Sequence, residues 1–378
     1  MRIQLGKVIK EYSKRNKNNN SFKVFSVTNS SGFIPSTEYF SKEVFSKDLS
    51  NYKIVKQGMI AYNPSRINVG SVACQNKAEN VIVSPLYIVF SVDASVILPE
   101  ILELFLKSNI GQKQIKSLTS GSVRDSLKYS ALERIEINIP PLNIQKEILG
   151  VFSKLSILID QRKQQLNKIN QLAKSRFIEM FGDFPLNEKK WETGQIRNVV
   201  YDVRYGTSLP ASLDGKYPYF RMNNITYSGE LDLSEIKRIN IPDREFSKYA
   251  IQKGDVLFNR TNSKELVGKT CVYDKDDKMI LAGFIIRIRV NDRMLAEFLS
   301  AFLNADFSKK MLLEKCKTAI GQANINAQEL QNFDIYIPPI ELQKQFVFIK
   351  NQLDKSKFRM KKCLNLFSYM RHLRIIGI

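Results

Sequence analysis

One octapeptide pattern occurs twice in the sequence, and this repetition constrains the fold more than any other feature. The segments IPPLNIQK (139–146) and IPPIELQK (337–344) share Ile-Pro-Pro, three variable residues and Gln-Lys, in a chain of 378 residues. A long amphipathic run follows each copy. Self-similarity at such a distance predicts a tandem duplication, so the chain should contain one fold twice.

Each copy also predicts a local structure. A Pro-Pro step cannot continue a strand but is favoured where a helix begins, so each copy should join a strand to a helix. Apolar residues then recur every three or four positions over about 36–40 residues, or roughly 55–60 Å of helix. This narrow stripe predicts a coiled coil in which one helix pairs with the other. Two helices packed on their own domains are the alternative. The stripe residues are Ile148, Phe152, Leu155, Ile159, Leu166, Ile169, Ala173, Phe177 and Met180, and Leu342, Phe346, Ile349, Leu353, Met360, Cys363, Phe367 and Met370.

The segments between these repeats have the same order of apolar elements but different polar residues. Short β-branched runs predict strands, and Pro99 predicts the start of a helix at 99–107. The predicted class is α+β: two tandem mixed α/β domains separated by an antiparallel two-helix coiled coil, with pseudo-two-fold duplication. The matched pairs are 22–32 with 217–226, 58–63 with 254–260, 83–92 with 281–290, and 132–137 with 330–335. The predicted domains are 1–140 and 183–338, and the helices are 141–182 and 339–378.

The chain is strongly basic. It has 58 Lys and Arg against 37 Asp and Glu, a net charge of +21 and a pI near 9.6. Such a charge attracts polyanions, with nucleic acid the first candidate and an anionic membrane surface the second. An AT-rich genome would explain part of the lysine content, but it explains the net charge less well.

Cysteine and histidine are too sparse for an ordinary zinc site. Cys74, Cys271, Cys316 and Cys363 form no C-x-x-C pair, and His372 is the single histidine. The thiols therefore read as small core residues in a reducing compartment. The first residues lack the apolar block of a signal peptide, and the longest apolar stretches are about half of a membrane span. We expect a soluble, cytoplasmic protein without a membrane partner.

The usual signatures of catalysis are also missing. A single histidine disfavours a Ser-His-Asp or Cys-His arrangement, and the sequence contains no G-x-G. The segment from Ser263 to Thr270 lacks the first glycine of a phosphate-binding loop, so Gly268 reads as a turn residue. Asn63-Pro64 lacks the second proline and the aromatic residue of an amino-methyltransferase motif, so it reads as a loop. We expect no catalytic residues, cofactor site or metal site in this chain.

The polar residues of equivalent loops suit the reading of DNA. Arg matches guanine O6 and N7, Asn and Gln match adenine N6 and N7, and lysines and hydroxyls hold phosphates. A solvated loop is the alternative for any single residue, but the recurrence at matching places favours the set. The candidates are Arg15, Asn18, Asn19, Asn20, Asn63, Arg66, Ser122 and Arg124 in the first half, and Arg204, Thr207, Arg221, Asn223, Asn224, Asn259, Arg260, Asn262, Lys264, Gln322 and Asn324 in the second.

Together these features resemble the specificity (S) subunits of type I restriction-modification systems over essentially the whole chain. The resemblance rests on the two Ile-Pro-Pro junctions, on RFIEMFGD (176–183) at the end of the first helix, and on YPYFRMNNI and GDVLFNR. The chain departs from the pattern in its C-terminal RHLRIIGI, which replaces a second RFIEMFGD.

The resemblance implies a subunit without activity of its own. Two modification subunits that use S-adenosylmethionine to methylate adenine would dock along the helices, and restriction subunits that hydrolyse ATP with Mg²⁺ would join them. Each domain would read one half of an asymmetric, bipartite sequence in double-stranded DNA. A helix of 55–60 Å limits the separation of the half-sites to roughly 17 base pairs at about 3.4 Å each.

Two other classes of function remain open from the sequence. A basic coiled-coil scaffold would bind another polyanion or an anionic membrane. A self-contained methyltransferase or nuclease would bind S-adenosylmethionine or cut DNA unaided.

Overall fold

The computed structural model describes residues 1–18, 21–29, 31–39, 46, 48–119, 126–263, 266–315, 317–319 and 322–373. The chain forms two compact units, Met1–Gln164 with Met360–Ile378, and Gln165–Arg359. The first unit takes the N-terminal part of the first long helix and the C-terminal part of the second, and the second unit takes the complementary parts. Each unit therefore contains a segment of both long helices.

The first unit is built on a four-stranded antiparallel sheet. Its strands are β1 (Arg2–Gln4), β2 (Ile9–Glu11), β3 (Phe25–Thr28), β4 (Gly32–Pro35), β5 (Lys53–Lys56), β6 (Ile60–Tyr62), β7 (Val72–Cys74), β8 (Asn80–Val83), β9 (Ile88–Val92) and β10 (Glu136–Asn138). Its helices are α1 (Ser36–Tyr39), α2 (Pro99–Lys107), α3 (Asn109–Thr119), α4 (Tyr129–Leu132) and the start of α5 (Leu142–Phe181). The sheet has the order β2-β9-β6-β7, and β1–β10, β3–β4 and β5–β8 form antiparallel pairs.

The second unit repeats this plan. Its strands are β11 (Thr193–Gln195), β12 (Val200–Tyr205), β13 (Tyr217–Phe220), β14 (Lys237–Ile239), β15 (Ala250–Ile251), β16 (Val256–Asn259), β17 (Thr261–Asn262), β18 (Thr270–Val272), β19 (Met279–Leu281), β20 (Ile285–Val290), β21 (Lys317–Ala319), β22 (Gln322–Asn324) and β23 (Asp334–Tyr336). Its helices are α6 (Phe246–Tyr249), α7 (Ala296–Asn304), α8 (Asp306–Lys315), α9 (Ala327–Gln331) and the start of α10 (Ile340–Leu373). Its sheets are β12-β20-β16-β18, β14-β13-β19-β15, β17-β22-β21 and the pair β11–β23.

The two units share their topology as well as their sequence pattern. The order β2-β9-β6-β7 recurs as β12-β20-β16-β18, and the pair β1–β10 recurs as β11–β23. A parallel bridge between Val24 and Ile82 corresponds to the parallel pairing of Tyr219 with Ile280. The predicted fold class and internal duplication are confirmed.

Each unit has its own apolar core. In the first unit, Leu102 and Leu106 of α2 are fully buried in one cluster with Tyr62 and Phe90 of the sheet. In the second, rings from both long helices and from α7 pack together. Among Phe177, Phe181, Phe298 and Phe346, the centroids of the contacting rings lie 4.7–5.7 Å apart. Such ring contacts stabilise the core beyond the burial of apolar surface alone. Phe346 therefore fixes the start of α10 against the end of α5.

A buried glutamine holds each Ile-Pro-Pro junction. The amide of Gln145 accepts from Leu98 N (2.8 Å) and donates to the carbonyls of Val96 and Pro140 (both 2.9 Å). In the second unit, Gln343 accepts from Leu295 N (2.9 Å) and donates to the carbonyls of Arg293 (3.0 Å) and Pro338 (2.8 Å). Both side chains are 0% exposed. The glutamine of each repeat thus joins a long helix to the loop before α2 or α7.

The first long helix ends as its sequence predicts. Gly182 follows α5 with φ +78°, a left-handed conformation that favours glycine, and its N–H donates to Ile178 O at 2.7 Å. The indole N–H of Trp191 donates to Phe181 O (2.9 Å) and the hydroxyl of Tyr336 to Gly182 O (3.2 Å). These contacts satisfy carbonyls that a helix end leaves without partners.

The predicted stripe lies on the protected face of both helices, with one exception. The stripe residues of α5 are buried or half-buried, as are those of α10 up to Met360. Cys363 is exposed, and Leu364 is half-buried beside it, so the prediction at Cys363 is wrong. Cys74 and Cys271 are buried as predicted, whereas Cys316 and the side chains of Phe367, Met370 and His372 lie outside the described residues.

Candidate nucleic-acid interface

Four polar loops of the second unit contact one another through their side chains. The guanidinium carbon of Arg260 lies 4.8 Å from the ring centroid of Tyr205, at the end of β12. Next to Arg260, the Thr261 hydroxyl donates to Asn324 Oδ1 at 3.0 Å. These contacts and the approach of Asn262 to Met222 (3.9 Å from Nδ2 to Sδ) link residues 204–207, 221–224, 259–263 and 322–324. We call these four segments the second loop surface.

Several predicted DNA contacts lie on the second loop surface with their side chains accessible. Arg204 is exposed, and its Nε donates to Asp202 Oδ1 at 2.6 Å. The guanidinium and amide groups of this surface are those that match guanine and adenine edges. The predicted residues that are exposed or half-buried here are Arg204, Arg221, Asn223, Arg260, Asn262 and Asn324.

Three predicted contacts are instead buried, contrary to the expectation from sequence. Thr207 is 4% exposed and accepts from Leu209 N, and Asn224 is 2% exposed and bonds Arg221 N, Asp232 O and Glu235 O. Asn259 is 0% exposed; with its amide oriented to suit its neighbours, it donates to Thr261 O and accepts from Asn262 Nδ2. These side chains are buried and bond to groups of the protein around their loops.

The loop of the first unit that begins at Asn63 is held in the same way as the loop of the second unit that begins at Asn259. Asn63 is half-buried with its Oδ1 accepting from Ser65 N (3.1 Å), and Arg66 is exposed. Leu127 N donates to Pro64 O at 3.0 Å, just as Ile325 N donates to Arg260 O at 2.9 Å in the second unit. Equivalent loops are therefore anchored by equivalent backbone bonds but carry different side chains.

A basic area of the first unit, separate from the loop at Asn63, surrounds Arg15 and Asn18. Both residues are exposed, and Arg15 Nη1 donates to Asn51 Oδ1 at 3.0 Å. They line a concavity of about 770 Å³ together with Lys14, Lys17 and Lys56. Ammonium groups of this kind suit phosphate contacts. The sequence prediction did not include these three lysines.

Asn19, Asn20, Ser122, Arg124 and Lys264 lie outside the described residues, and so does the side chain of Gln322.

The segment that resembles a phosphate-binding loop has a structural role. Gly268 has φ +79° and its repeat counterpart Gly70 has φ +90°, so both are the predicted turn residues. Lys269 Nζ donates to the carbonyls of Ile225 (2.7 Å) and Met222 (3.2 Å), and burial lowers its pKa. The lysine therefore holds the loop at 221–224 and does not face a phosphate cradle.

Tyr205 belongs to the second loop surface and was not predicted from the sequence. Its hydroxyl accepts from Ala327 N at 2.7 Å, while its ring faces Arg260. The only signal in the sequence is an aromatic residue directly after Arg204 at the end of a strand, and many strands have this feature.

Within the part of the chain that the structure describes, no helix has the length and apolar character needed to span a bilayer. The same residues form no group of three or more His, Cys, Asp or Glu side chains placed to hold a metal ion.

Comparison with known proteins agrees with the fold. The sequence model of the type I restriction modification DNA specificity domain matches residues 3–171 and again 188–365. The EcoKI specificity subunit of Escherichia coli K12 is 24% identical over 265 residues, 66% of this chain and 57% of that protein. The StySPI specificity subunit of Salmonella potsdam is 25% identical over 279 residues, 68% of this chain and 58% of that protein. The matched regions thus span less than two thirds of these relatives.

Two solved structures share the fold over almost the whole chain. A chain from work on complex assembly and conformational transition of the type I R-M system has a TM-score of 0.65 at 17% identity, covering 99% of this chain and 96% of that one. The type I restriction-modification S subunit from M. genitalium has a TM-score of 0.53 at 14% identity, covering 99% and 94%. With two matched copies of its domain, the chain belongs to the family of type I restriction-modification DNA specificity domains.

Proposed function

We propose that this chain is the sequence-specific DNA-binding subunit of a type I restriction-modification complex. Each domain reads one half of an asymmetric, bipartite target. The proposal rests on the observation that one fold occurs twice with different residues at equivalent loop positions. The residue whose carbonyl anchors the loop is Pro64 in the first copy and Arg260 in the second. Because the two loops present different chemistry, the half-sites differ in sequence.

The charge of the chain supports double-stranded DNA as the ligand. The net charge of +21 favours phosphate contacts, which supply affinity, while arginine and amide groups on the loops supply discrimination. Binding should therefore weaken steeply as salt concentration rises.

The two long helices set the number of unread base pairs between the half-sites. Helix α5 has 40 residues, or about 60 Å at 1.5 Å per residue. At about 3.4 Å per base pair, this length corresponds to roughly 17 base pairs as an upper limit.

Large exposed apolar residues of α5 and α10 that do not belong to the predicted stripe mark where two modification subunits dock. Exposed apolar side chains grouped on one element are typical of protein contacts. On α5 they are Ile144, Val151, Ile157, Leu158, Leu172 and Ile178, and on α10 they are Phe348, Phe358 and Leu366. Restriction subunits join this complex in the cytoplasm.

The chain itself performs no chemistry in this proposal. The modification subunits hold S-adenosylmethionine and methylate adenine, and the restriction subunits use ATP and Mg²⁺. The position of Lys269 supports this division, because the one sequence resembling a phosphate-binding loop directs its ammonium group to backbone carbonyls.

Methylome sequencing of cells with and without this gene tests the proposal. We expect adenine methylation to disappear at one split motif when the gene is deleted, and to return on complementation. Unchanged methylation at every split motif would argue against the proposal. Liposome binding that duplex DNA does not compete for would instead favour a membrane scaffold.

A further inference from the structure

The main chain of Arg260 is fixed on both sides. Its N–H donates to Phe284 O at 3.0 Å, and its carbonyl accepts from Ile325 N at 2.9 Å. The residue lies between β16 and β17, so its position is set by the central sheet and by the small sheet containing β22. A side chain that starts from such a point loses little backbone freedom when it binds a ligand.

The side chain of Arg260 is also oriented before any ligand binds. Its guanidinium carbon lies 4.8 Å from the centroid of Tyr205, whose hydroxyl is held by Ala327 N at 2.7 Å. A cation over an aromatic ring is attracted to the ring face, which holds the planar group against it. The ring thus restricts the guanidinium on one side and leaves its edge for another contact.

The charge of Arg260 lacks an acceptor within the described residues. Its Nε is enclosed without a hydrogen-bond partner, and no hydrogen bond or ion pair described for the chain uses the rest of the guanidinium. Arg204, by contrast, is already paired with Asp202. A half-buried guanidinium without an anion favours a ligand that supplies hydrogen-bond acceptors.

The surroundings of Arg260 favour a base edge over a phosphate alone. Asn324 is exposed on the paired strand opposite Thr261, the residue after Arg260, and the Thr261 hydroxyl orients its side chain. Phe284 is 55% exposed beside the loop. Arginine and asparagine present donors and acceptors that match base edges in the major groove, and an apolar ring can contact the methyl group of thymine. Pro64, at the corresponding position of the first unit, has no side-chain donor.

We infer that Arg260, held against Tyr205, reads a guanine in the half-site recognised by residues 183–338, its terminal N–H groups donating to O6 and N7. This inference rests on the proposed function and adds a base and a residue to it. The half-site read by the first domain has no guanine contact from the corresponding residue, which is Pro64.

The test compares the methylation motif of the wild-type complex with that of complexes carrying Arg260→Ala, Arg260→Lys or Tyr205→Leu. We expect both Arg260 variants to lose discrimination at one G·C pair of one half-site, by roughly 10- to 100-fold, because a bidentate arginine contact is lost. Tyr205→Leu should relax the same position by a smaller factor. Arg244→Ala, an exposed residue of the same unit, is the matched control and should leave the motif unchanged.

The outcomes separate this inference from the proposed function. A wild-type complex that methylates no split motif would overturn both. If the wild-type motif is split but Arg260→Lys and Arg260→Ala leave every position intact, Arg260 reads no base and the inference fails. If they weaken binding equally for all sequences, Arg260 is a phosphate contact and the inference also fails. Relaxation confined to the other half-site would also overturn it. Thermal unfolding of each variant complex identifies any loss due to misfolding, and Arg260→Lys, which keeps the charge, then decides.

Discussion

Replacing Gln343 by leucine should destabilise the second unit strongly, although leucine is apolar and of similar size. The buried amide makes three hydrogen bonds, to Leu295 N, Arg293 O and Pro338 O, at 2.8–3.0 Å. Leucine leaves all three backbone groups without their partner. Each buried group left unpaired costs about 1–3 kcal/mol, so the free energy of unfolding should fall by about 3–5 kcal/mol after partial relaxation.

The single tryptophan gives a direct assay for this change. Trp191 lies in the second unit and donates to Phe181 O, so its fluorescence in urea reports the unfolding of the unit that contains Gln343. Gln352→Leu is the matched control, because Gln352 is exposed on the same helix. An unfolding free energy of Gln343→Leu within about 0.5 kcal/mol of the control would refute the role of the glutamine, since surface changes usually stay in that range.

Two further changes probe charged groups inside the second unit. Burial, with Lys269 and Lys174 adding repulsion, lowers the pKa of Lys309 to about 7, so the folded chain loses this proton before the unfolded chain does as pH rises. The free energy of unfolding should therefore increase by about 2 kcal/mol between pH 7 and 10, after allowance for partial exposure. Lys309→Met should abolish this increase, as measured by urea titrations at each pH. An unchanged pH profile in the variant would contradict the lowered pKa of Lys309. Arg287→Met removes the 2.7 Å ion pair with Asp202 and the hydrogen bond to Ala250 O, while Asp202 keeps its contact with Arg204. The unfolding free energy should fall by about 1–3 kcal/mol, and a loss below about 0.5 kcal/mol would show that the pair is dispensable.

The repeated junctions made much of the fold predictable. The Pro-Pro steps end β10 at Asn138 and precede α5 at Leu142, because proline interrupts a ladder and can stand at a helix start. Gly182 ends α5 because only glycine adopts its conformation without strain. Such features depend on residues close in sequence, which a single sequence displays directly.

Features set by distant residues were not predictable. Asn224 and Asn259 look like surface amides in sequence, but Asn224 bonds the carbonyls of Asp232 and Glu235, and Asn259, reoriented, bonds the carbonyl of Phe284 as well as groups of its own loop. Arg287 alternates with isoleucines in β20 and so appears to face solvent, yet it is buried against Asp202. Cys363 fits the stripe by spacing, but an α-helix drifts from a strict heptad, so Leu364 takes that face.

The candidate interface was predictable as a set of loops but not as a set of contacts. Matching the halves identified the loop after β16 and its counterpart after β6. The contact of Arg260 with Tyr205 joins residues 55 positions apart in sequence, which lie close because β12 and β16 both pair with β20. The domain boundaries at 140, 182 and 338 remain predictions.

Exchange of residues 183–338 for the corresponding segment of a related specificity subunit tests whether each domain reads its own half of the target. Methylome sequencing of cells carrying the hybrid, with its modification subunits, reports both half-motifs and the spacing between them. One half-motif should change to that of the donor protein, while the other half-motif and the spacing are kept. A change in both half-motifs, or in neither, would contradict the claim that each domain reads its half of the target independently.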